Sequence, residues 1–250
     1  MDPLAAVFPG ICSLCLRRSH RAIDLCPDCE AAFETNDLTC PVCAGPAPAG
    51  DASPAAICGA CLVNPPPWTL TLAPFTYSPP LRRIIEGLKS GNGLREARAL
   101  GSLLIPAIQS RYGNDALPEA LVPLPLARRR QRRRGFNQAE LLAKVIARGL
   151  GLPHIHGRLV RIRNDPPQRS LPRSARLRNV RGAFAVRTGG RRKSLPKRVA
   201  LIDDVSTTGA TVRAAAETLR RAGVEEVHVW VAAKARPPGA IENAPHSPAG

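Results

Sequence analysis

The stretch that decides the fold is VALIDDVSTTGAT, residues 199–211. Its four leading apolar residues, 199–202, predict a buried strand, and residues 203–211 predict a turn into a helix over 211–222. Two carboxylates therefore stand at the carboxyl end of a strand, which in an open parallel sheet is the edge where ligands bind. The small residues after them predict a loop in which Gly209 permits close approach of the backbone to a ligand.

The residue types of this turn suit a phosphate group. Exposed N–H groups at the start of a helix attract an anion, and Ser and Thr hydroxyls add further donors. The turn supplies Ser206, Thr207, Thr208, Gly209, Ala210 and Thr211. The carboxylates of Asp203 and Asp204 would repel a phosphate, but they can accept hydrogen bonds from sugar hydroxyls beside it. The alternative is a strand–turn–helix corner with an acidic cap and no ligand.

The turn differs from two familiar nucleotide-binding motifs. No Lys follows the glycine, as a Walker loop requires, and the G-x-G-x-x-G pattern of a dinucleotide-binding turn is missing. The order of apolar run, two acidic residues, small residues, Thr-Gly and Thr resembles the phosphoribosyl pyrophosphate motif of type I phosphoribosyltransferases. The resemblance implies that Asp203 and Asp204 are catalytic and hold the ribose hydroxyls. It also implies that the turn binds the 5′-phosphate of phosphoribosyl pyrophosphate, together with Mg²⁺.

A second stretch narrows the resemblance. LVPLPLARRRQRRRGFNQAELLA, residues 121–143, predicts a short strand, an Arg-dense loop and a helix. It resembles the competence protein ComF family, in which a VPxPL strand end leads through arginines into RGFNQ. GLKSGN at residues 87–92 and a Q-x-x-L…R…N-x-x-G-A-F pattern at residues 168–184 resemble further segments of that family.

The ComF resemblance implies roles for individual residues. Those expected near the pyrophosphate are Arg134, Gly135, Asn137 and Gln138. Those expected on a mobile loop are Gln168, Arg176 and Asn179. Asp165 departs from the pattern, because a Thr is expected there and a carboxylate is unhelpful beside pyrophosphate. The Arg-dense loop at 128–134 has two alternative interpretations, a nucleic-acid contact and a solvated basic loop.

The remaining sequence predicts an α/β protein. Strand-like segments are expected at residues 68–77, 121–126, 182–186 and around 227–231, and helices at 80–90, 94–110 and after the Arg-dense loop. Because strands alternate with helices, we expect a parallel sheet flanked by helices, as the resemblance to type I phosphoribosyltransferases also implies. The basic segment 158–196 is expected to be a mobile loop in which only residues 182–186 form a strand.

All eight cysteines lie before residue 62 and form four C-x-x-C pairs. This spacing lets two thiolates bind one tetrahedral metal ion, so the sequence predicts two structural zinc sites. A thioredoxin-like redox motif is disfavoured because it requires a βαβ context. Neighbouring pairs close short loops at the lowest entropic cost. That favours Cys12, Cys15, Cys26 and Cys29 at one zinc, and Cys40, Cys43, Cys58 and Cys61 at the other.

Changes in composition and a proline-rich segment suggest where the domains begin and end. Asn-Pro-Pro-Pro at residues 64–67 is a stiff, extended boundary. We expect a double zinc ribbon over residues 1–64, a phosphoribosyltransferase-like domain over 68–236 and a disordered tail over 237–250. No apolar run is long enough to span a membrane, and no secretory signal peptide is evident, so a cytoplasmic protein is expected. The five histidines show no metal-binding spacing and are interpreted as incidental.

The net charge of +17 favours polyanionic partners. The resemblance to type I phosphoribosyltransferases implies a phosphoribosyltransferase-fold protein that binds phosphoribosyl pyrophosphate with Mg²⁺, and it does not decide between turnover of an acceptor and binding alone. The family resemblance implies a link to DNA uptake and natural transformation, with single-stranded DNA and DNA-processing proteins as further partners. The alternative is a non-catalytic adaptor that binds nucleic acid or senses phosphoribosyl pyrophosphate and carries structural zinc ribbons.

Overall fold

A computed structural model describes residues 10–21, 23–48, 53, 55–91, 93–163, 182–187 and 194–236, and the fold is given for these residues. Their helices are α1 (Pro27–Ala31), α2 (Gly59–Val63), α3 (Pro79–Leu88), α4 (Leu94–Tyr112), α5 (Arg128–Arg134), α6 (Gln138–Leu150) and α7 (Ala210–Arg221). Their strands are β1 (Leu70–Leu72), β2 (Phe75–Thr76), β3 (Ala120–Pro123), β4 (Leu159–Arg161), β5 (Phe184–Val186), β6 (Arg198–Ser206) and β7 (Glu226–Lys234).

A parallel sheet with the strand order β1-β7-β6-β3 forms the centre of the fold, and β2 also pairs with β7. In the central strand β6, Ile202 lies opposite Trp230 of β7 and Pro123 of β3. Every pairing in this sheet is parallel, and α7 provides the crossover from β6 to β7. The predicted α/β architecture, a parallel sheet flanked by helices, is confirmed.

The near-continuous apolar run of β6 is explained by burial on both faces of the sheet. Ala200 and Ile202 pack into one hydrophobic cluster with α3, α4 and α6. Val199 and Leu201 pack into a second cluster with α7 and β5. Alternate residues therefore face opposite helical layers, which is why a strand of this kind lacks the alternation of a half-exposed one.

The end of β6 differs from the prediction. The sequence predicted a turn from residue 203, but the strand continues to Ser206, with Asp203 opposite Val231 and Val205 opposite Ala233. The prediction was wrong because it stopped the strand at the last apolar residue. The length of β6 is set by its hydrogen-bonded partner β7, and both strands have nine residues. The two carboxylates thus stand on the sheet itself.

Two basic segments are also more ordered than predicted. Residues 128–134, predicted as a loop, form the helix α5, whose first and last turns expose arginines to solvent. In the segment predicted as a mobile loop, β4 pairs antiparallel with β5, so a second strand was missed. Residues 164–181 and 188–193 lie outside the described residues, and with them the positions predicted for Asp165, Gln168, Arg176 and Asn179.

The cysteine-bearing segment packs directly on the rest of the fold. Cys12, Cys26 and Phe33 belong to the same hydrophobic cluster as Leu70 of β1 and Leu104 of α4. Polar contacts reinforce this packing, with the Arg98 guanidinium donating to a carboxylate oxygen of Asp24 at 2.7 and 2.9 Å and Arg95 to the Ile11 carbonyl at 2.9 Å. The division at residues 64–68 stays a prediction, and the predicted tail, 237–250, lies outside the described residues.

Among the described helices, none has both the length and the apolar character that crossing a membrane requires.

Candidate functional site

The β6–α7 turn, residues 206–211, presents donors at the start of a helix. Gly209 takes a φ of 73° immediately before Ala210, the first residue of the twelve-residue helix α7. The Thr208 hydroxyl accepts a hydrogen bond from the Ala210 N–H group at 3.5 Å. Within the described part of the chain, the N–H groups of Thr208 and Gly209 have no hydrogen-bond partner. The turn therefore offers unengaged donors to an anion at the positive end of a helix dipole.

Asp204 lies at the centre of a network that joins three separate segments of the chain. Lys89 Nζ forms an ion pair with Oδ2 of Asp204, and Gln138 Nε2 donates to its Oδ1 at 3.3 Å. Arg134 extends the network, since its Nη1 donates to Oε1 of Gln138 at 2.8 Å. The acidic end of β6 therefore meets two other segments at one place on the sheet. These are residues 135–138, which we call the GFNQ block, and Lys89 of the GLKSGN segment.

Local structure explains how the GFNQ block reaches this place. Gly135 takes a φ of 79° and ends α5, so that the chain reverses directly into α6. Asn137 caps α6: its Oδ1 accepts from the Ala139 N–H group at 3.1 Å, and its Nδ2 donates to the Leu124 carbonyl at 3.0 Å. Gln138 then begins α6 as a buried residue that faces the end of β6. These hydrogen bonds hold the block against the carboxyl ends of β3 and β6.

The two carboxylates have opposite pKa shifts. Burial, and then repulsion from the neighbouring Asp204 carboxylate, raises the pKa of Asp203 well above its usual value. Burial also opposes ionisation of Asp204, but the charge of Lys89 and hydrogen bonds to its carboxylate outweigh burial and lower its pKa. Lys89 therefore stabilises the charged form of Asp204, whereas Asp203 forms no ion pair with a cation among the described residues.

The burial of Asp204 corrects one expectation. The sequence placed Asp203 and Asp204 together at a solvent-facing edge, yet Asp204 is only 4% exposed and Asp203 is half-buried. The reason is that α3 ends beside β6 and brings Lys89 over the second carboxylate. The two aspartates are consequently not equivalent, and Asp203 is the more accessible of the two.

Sequence reasoning missed two lysines at this site. Lys89 was part of a segment that resembles the family, but the resemblance assigned it no role. Lys234, at the end of β7, donates from Nζ to the Thr207 carbonyl at 3.0 Å and to the Ser206 hydroxyl at 3.4 Å. A lysine therefore lies beside the β6–α7 turn, although no Lys directly follows Gly209 in the sequence as in a Walker loop. The signal for Lys234 was the position of a basic residue at the end of a strand parallel to β6.

The cysteines assemble as two groups of four. Cys12, Cys15, Cys26 and Cys29 form one group, and Cys40, Cys43, Cys58 and Cys61 form the other. Within each group the sulfur atoms all lie within 4.8 Å of one another. Four converging thiolates without a carboxylate or an open position fit a closed structural zinc site, and the grouping is the one that short loops favoured. We call the second group the second cysteine site.

Three histidines have structural contacts and are not incidental as the sequence suggested. His154 Nε2 and His156 Nδ1 each lie 2.9 Å from the same carboxylate oxygen of Glu140, which is buried on α6. His228 contacts the Tyr112 hydroxyl through Nδ1, inside the core. Sequence spacing could not reveal these contacts, because each joins segments that only the fold brings together.

Known proteins match both the cysteine-bearing segment and the rest of the chain. The double zinc ribbon domain family matches residues 3–62. The DNA utilization protein YhgH of Salmonella typhi is 35% identical over 233 residues, which cover 91% of this chain and 92% of that protein. Competence protein F of Haemophilus influenzae is 38% identical over 181 residues, covering 71% of this chain and 78% of its own length.

Among solved structures, a glutamine phosphoribosylpyrophosphate amidotransferase from B. subtilis, complexed with ADP and GMP, is 22% identical with a TM-score of 0.35. That match covers 56% of this chain and 27% of the other. The YhgH match covers 91% of the chain and therefore includes residues of both the cysteine-bearing segment and the parallel sheet. The chain therefore belongs to the competence protein ComF family.

Proposed function

We propose that this protein binds phosphoribosyl pyrophosphate with Mg²⁺ at the β6–α7 turn. The observation that carries the proposal is the convergence of three segments on Asp204, where Gln138 and Lys89 both contact its carboxylate. Each of these segments matched the family pattern independently, and a structural corner would not require them to meet. The 5′-phosphate would bind the unengaged N–H groups of the turn, and Asp203 would accept hydrogen bonds from the ribose hydroxyls.

Charge at the site suits the departure of pyrophosphate. Breaking the bond between C1 of the ribose and the pyrophosphate oxygen leaves positive charge on the ring and adds negative charge to the leaving group. Arg134, held by Gln138, would stabilise the leaving group electrostatically, and Mg²⁺ supplies further neutralisation of its charge when bound. Asp203 would lie beside the ring cation. Transfer to an acceptor is tested by product analysis with labelled phosphoribosyl pyrophosphate, Mg²⁺ and a cell extract as the source of acceptors.

Substitutions in the turn test ligand binding directly. Asp203→Asn replaces one carboxyl oxygen with an amide NH₂ group, which cannot accept from a ribose hydroxyl, and is expected to weaken binding at least about tenfold, or about 1.4 kcal/mol. Gly209→Val is expected to abolish binding, because a β-branched residue is strained at a φ of 73° and its side chain would press on the Trp68 ring and displace the turn. Calorimetry with phosphoribosyl pyrophosphate and Mg²⁺ measures both effects.

A matched control separates binding from backbone strain. Gly151 ends α6 with a φ of 67° and open space around it, so Gly151→Val imposes similar strain away from the turn. It should bind like the wild type, with circular dichroism confirming that all variants fold. If Asp203→Asn binds as tightly as the wild type, the assignment of Asp203 to the ribose is wrong. No binding by the wild-type protein would overturn the proposed ligand.

A second partner, DNA, is favoured by the exposed arginines of α5. Arg128, Arg129, Arg130, Arg132 and Arg133 are all exposed on this helix. Relatives of the chain are named for competence and DNA utilization. We infer that this helix contacts phosphodiesters, with single-stranded DNA as one substrate, and that recognition is largely independent of sequence.

Binding of DNA is expected to weaken steeply with salt, because each phosphate contact releases counterions. Arg129→Gln and Arg133→Gln together should reduce the slope of log K against log salt by roughly 0.7–0.9 for each lost contact. Arg148→Gln and Arg221→Gln together, at exposed positions of α6 and α7, remove the same two charges and should change the slope less. Fluorescence titration of single- and double-stranded DNA at several salt concentrations measures the slopes. A flat response to salt would contradict the assignment of this surface.

A further inference from the structure

We propose that the second cysteine site positions the β6–α7 turn through Trp68, so that metal occupancy of that site and ligand affinity are coupled. The inference rests on the proposed function, because it concerns binding of phosphoribosyl pyrophosphate at that turn. It assigns a role in ligand binding to a zinc site that otherwise only holds the fold together. Trp68 is a positioning residue in this arrangement and does not itself contact the ligand.

The first link joins the C-x-x-C loop of the second cysteine site, residues 40–43, to Trp68. We call this loop the knuckle. Val42 lies between Cys40 and Cys43, so its carbonyl belongs to the chain that wraps the metal. That carbonyl accepts two hydrogen bonds, from Trp68 Nε1 at 2.6 Å and from the Thr71 hydroxyl at 2.7 Å. The position of the indole N–H is therefore set by the conformation of the knuckle.

The second link joins the Trp68 ring to the turn. A Cβ atom placed on Gly209 would lie 3.6 Å from Cη2 of Trp68, which is ordinary van der Waals contact. The guanidinium of Arg213, in the first turn of α7, lies 5.7 Å from the centre of the indole ring. The ring therefore lies beside the glycine that ends the turn and under Arg213 in the first turn of the helix whose N–H groups face the ligand.

Coupling follows from the rigidity of these two links. A rigid indole ring that is hydrogen-bonded to Val42 at one end and contacts Arg213 at the other transmits a shift of the Val42 carbonyl to the start of α7, directly after Gly209. Loss of metal removes the restraint on four thiolates and hence on the Val42 carbonyl, which allows the turn to sample geometries that bind phosphate less well. By thermodynamic reciprocity, a bound ligand must then strengthen metal binding at the second cysteine site by the same factor.

The first group of cysteines provides an internal comparison. Its polar contacts lead to α4, where Arg98 pairs with Asp24 and Arg95 donates to the Ile11 carbonyl, and Cys12 and Cys26 share a hydrophobic cluster with β1 and α4. General stabilisation of the protein by a ligand would protect both sites alike. Coupling through Trp68 would protect the second site selectively, and that difference is the signature to be measured.

The test uses the full chain with ¹¹³Cd in place of zinc, because each four-thiolate site then gives its own resonance. A chelator that spares Mg²⁺ removes the metal, and the loss of each resonance is followed with and without phosphoribosyl pyrophosphate. At equilibrium with the chelator, we expect the ligand to raise the metal affinity of the second cysteine site by about fivefold or more, the lower range of allosteric coupling, with little effect at the first.

Two variants isolate the role of Trp68. Trp68→Phe removes the hydrogen bond to Val42 and shortens the ring so that it no longer reaches Gly209, so the protection should disappear. Thr71→Val removes the other hydrogen bond to the same carbonyl and should retain the protection, because Thr71 lies on β1, which pairs with β7 and not with the turn. A merely structural role of the Val42 contacts would make the two variants behave alike.

The outcomes separate this inference from the proposed function. If calorimetry detects no binding of phosphoribosyl pyrophosphate to the wild type, the proposed function fails. If the ligand binds but protects both metal sites equally, or if Trp68→Phe retains the protection, the coupling is wrong and the proposed function stands. Selective protection that Trp68→Phe abolishes and Thr71→Val retains supports the coupling.

Discussion

Removal of both metal ions is expected to unfold the cysteine-bearing segment and also to lower the thermal midpoint of the remaining fold. Binding of structural zinc contributes an apparent 10–16 kcal/mol in small zinc-finger peptides, which have little core of their own. Here the effect should extend further, because Cys12, Cys26 and Phe33 share a hydrophobic cluster with β1 and α4. Loss of the ribbon would expose that cluster to water.

Elemental analysis measures the zinc content, and thermal unfolding measures the midpoint with and without metal. Protein purified without added zinc should contain two zinc ions per chain, and a value near one, or iron in its place, would contradict the assignment of eight ligands. Circular dichroism should show a lower midpoint after chelation, with recovery when zinc is restored. If chelation removes both zinc ions while the thermal midpoint of the sheet domain stays unchanged, the shared hydrophobic cluster contributes no stability and this prediction is wrong.

Replacement of Lys89 by Ala is expected to reduce the free energy of unfolding by about 3–5 kcal/mol, the usual cost of breaking a buried ion pair. The side chains of Lys89 and Asp204 are only 28% and 6% exposed, so the lost cation leaves a buried carboxylate without its counter-charge. The pKa of Asp204 should rise as a consequence, because Lys89 is what outweighs the burial of that carboxylate.

An ion pair on the same helix provides the control. Arg82 and Glu86 pair at 3.0 Å on α3 with side chains 58% and 57% exposed, so Arg82→Ala should cost only about 0–1 kcal/mol. Urea denaturation measures both variants. The double variant Lys89→Met with Asp204→Asn should recover part of the loss, since it removes both charges. Equal effects of Lys89→Ala and Arg82→Ala would show that the Lys89 pair is not buried in solution.

The parts of the candidate site that depend on short runs of neighbouring residues could be predicted from the sequence. The run before Asp203 predicts a strand, Gly209 before a helical pattern predicts a turn, and C-x-x-C spacing predicts metal ligands, since each signal depends on neighbours in sequence. The prediction failed where an element takes its length or environment from a distant partner. The strand β6 extends to Ser206 because β7 pairs with it throughout.

The sequence by itself determined the parallel α/β architecture, the two groups of four cysteines and the family, because local patterns and motif order carry that information. Only the tertiary structure decided that Asp203 and Asp204 differ, because Lys89 reaches Asp204 from α3. It also decided that Lys234 stands beside Thr207 and that Trp68 links Val42 to Gly209. Contacts between residues far apart in the chain depend on how helices and strands pack, and packing follows from the whole core rather than from any single stretch of sequence.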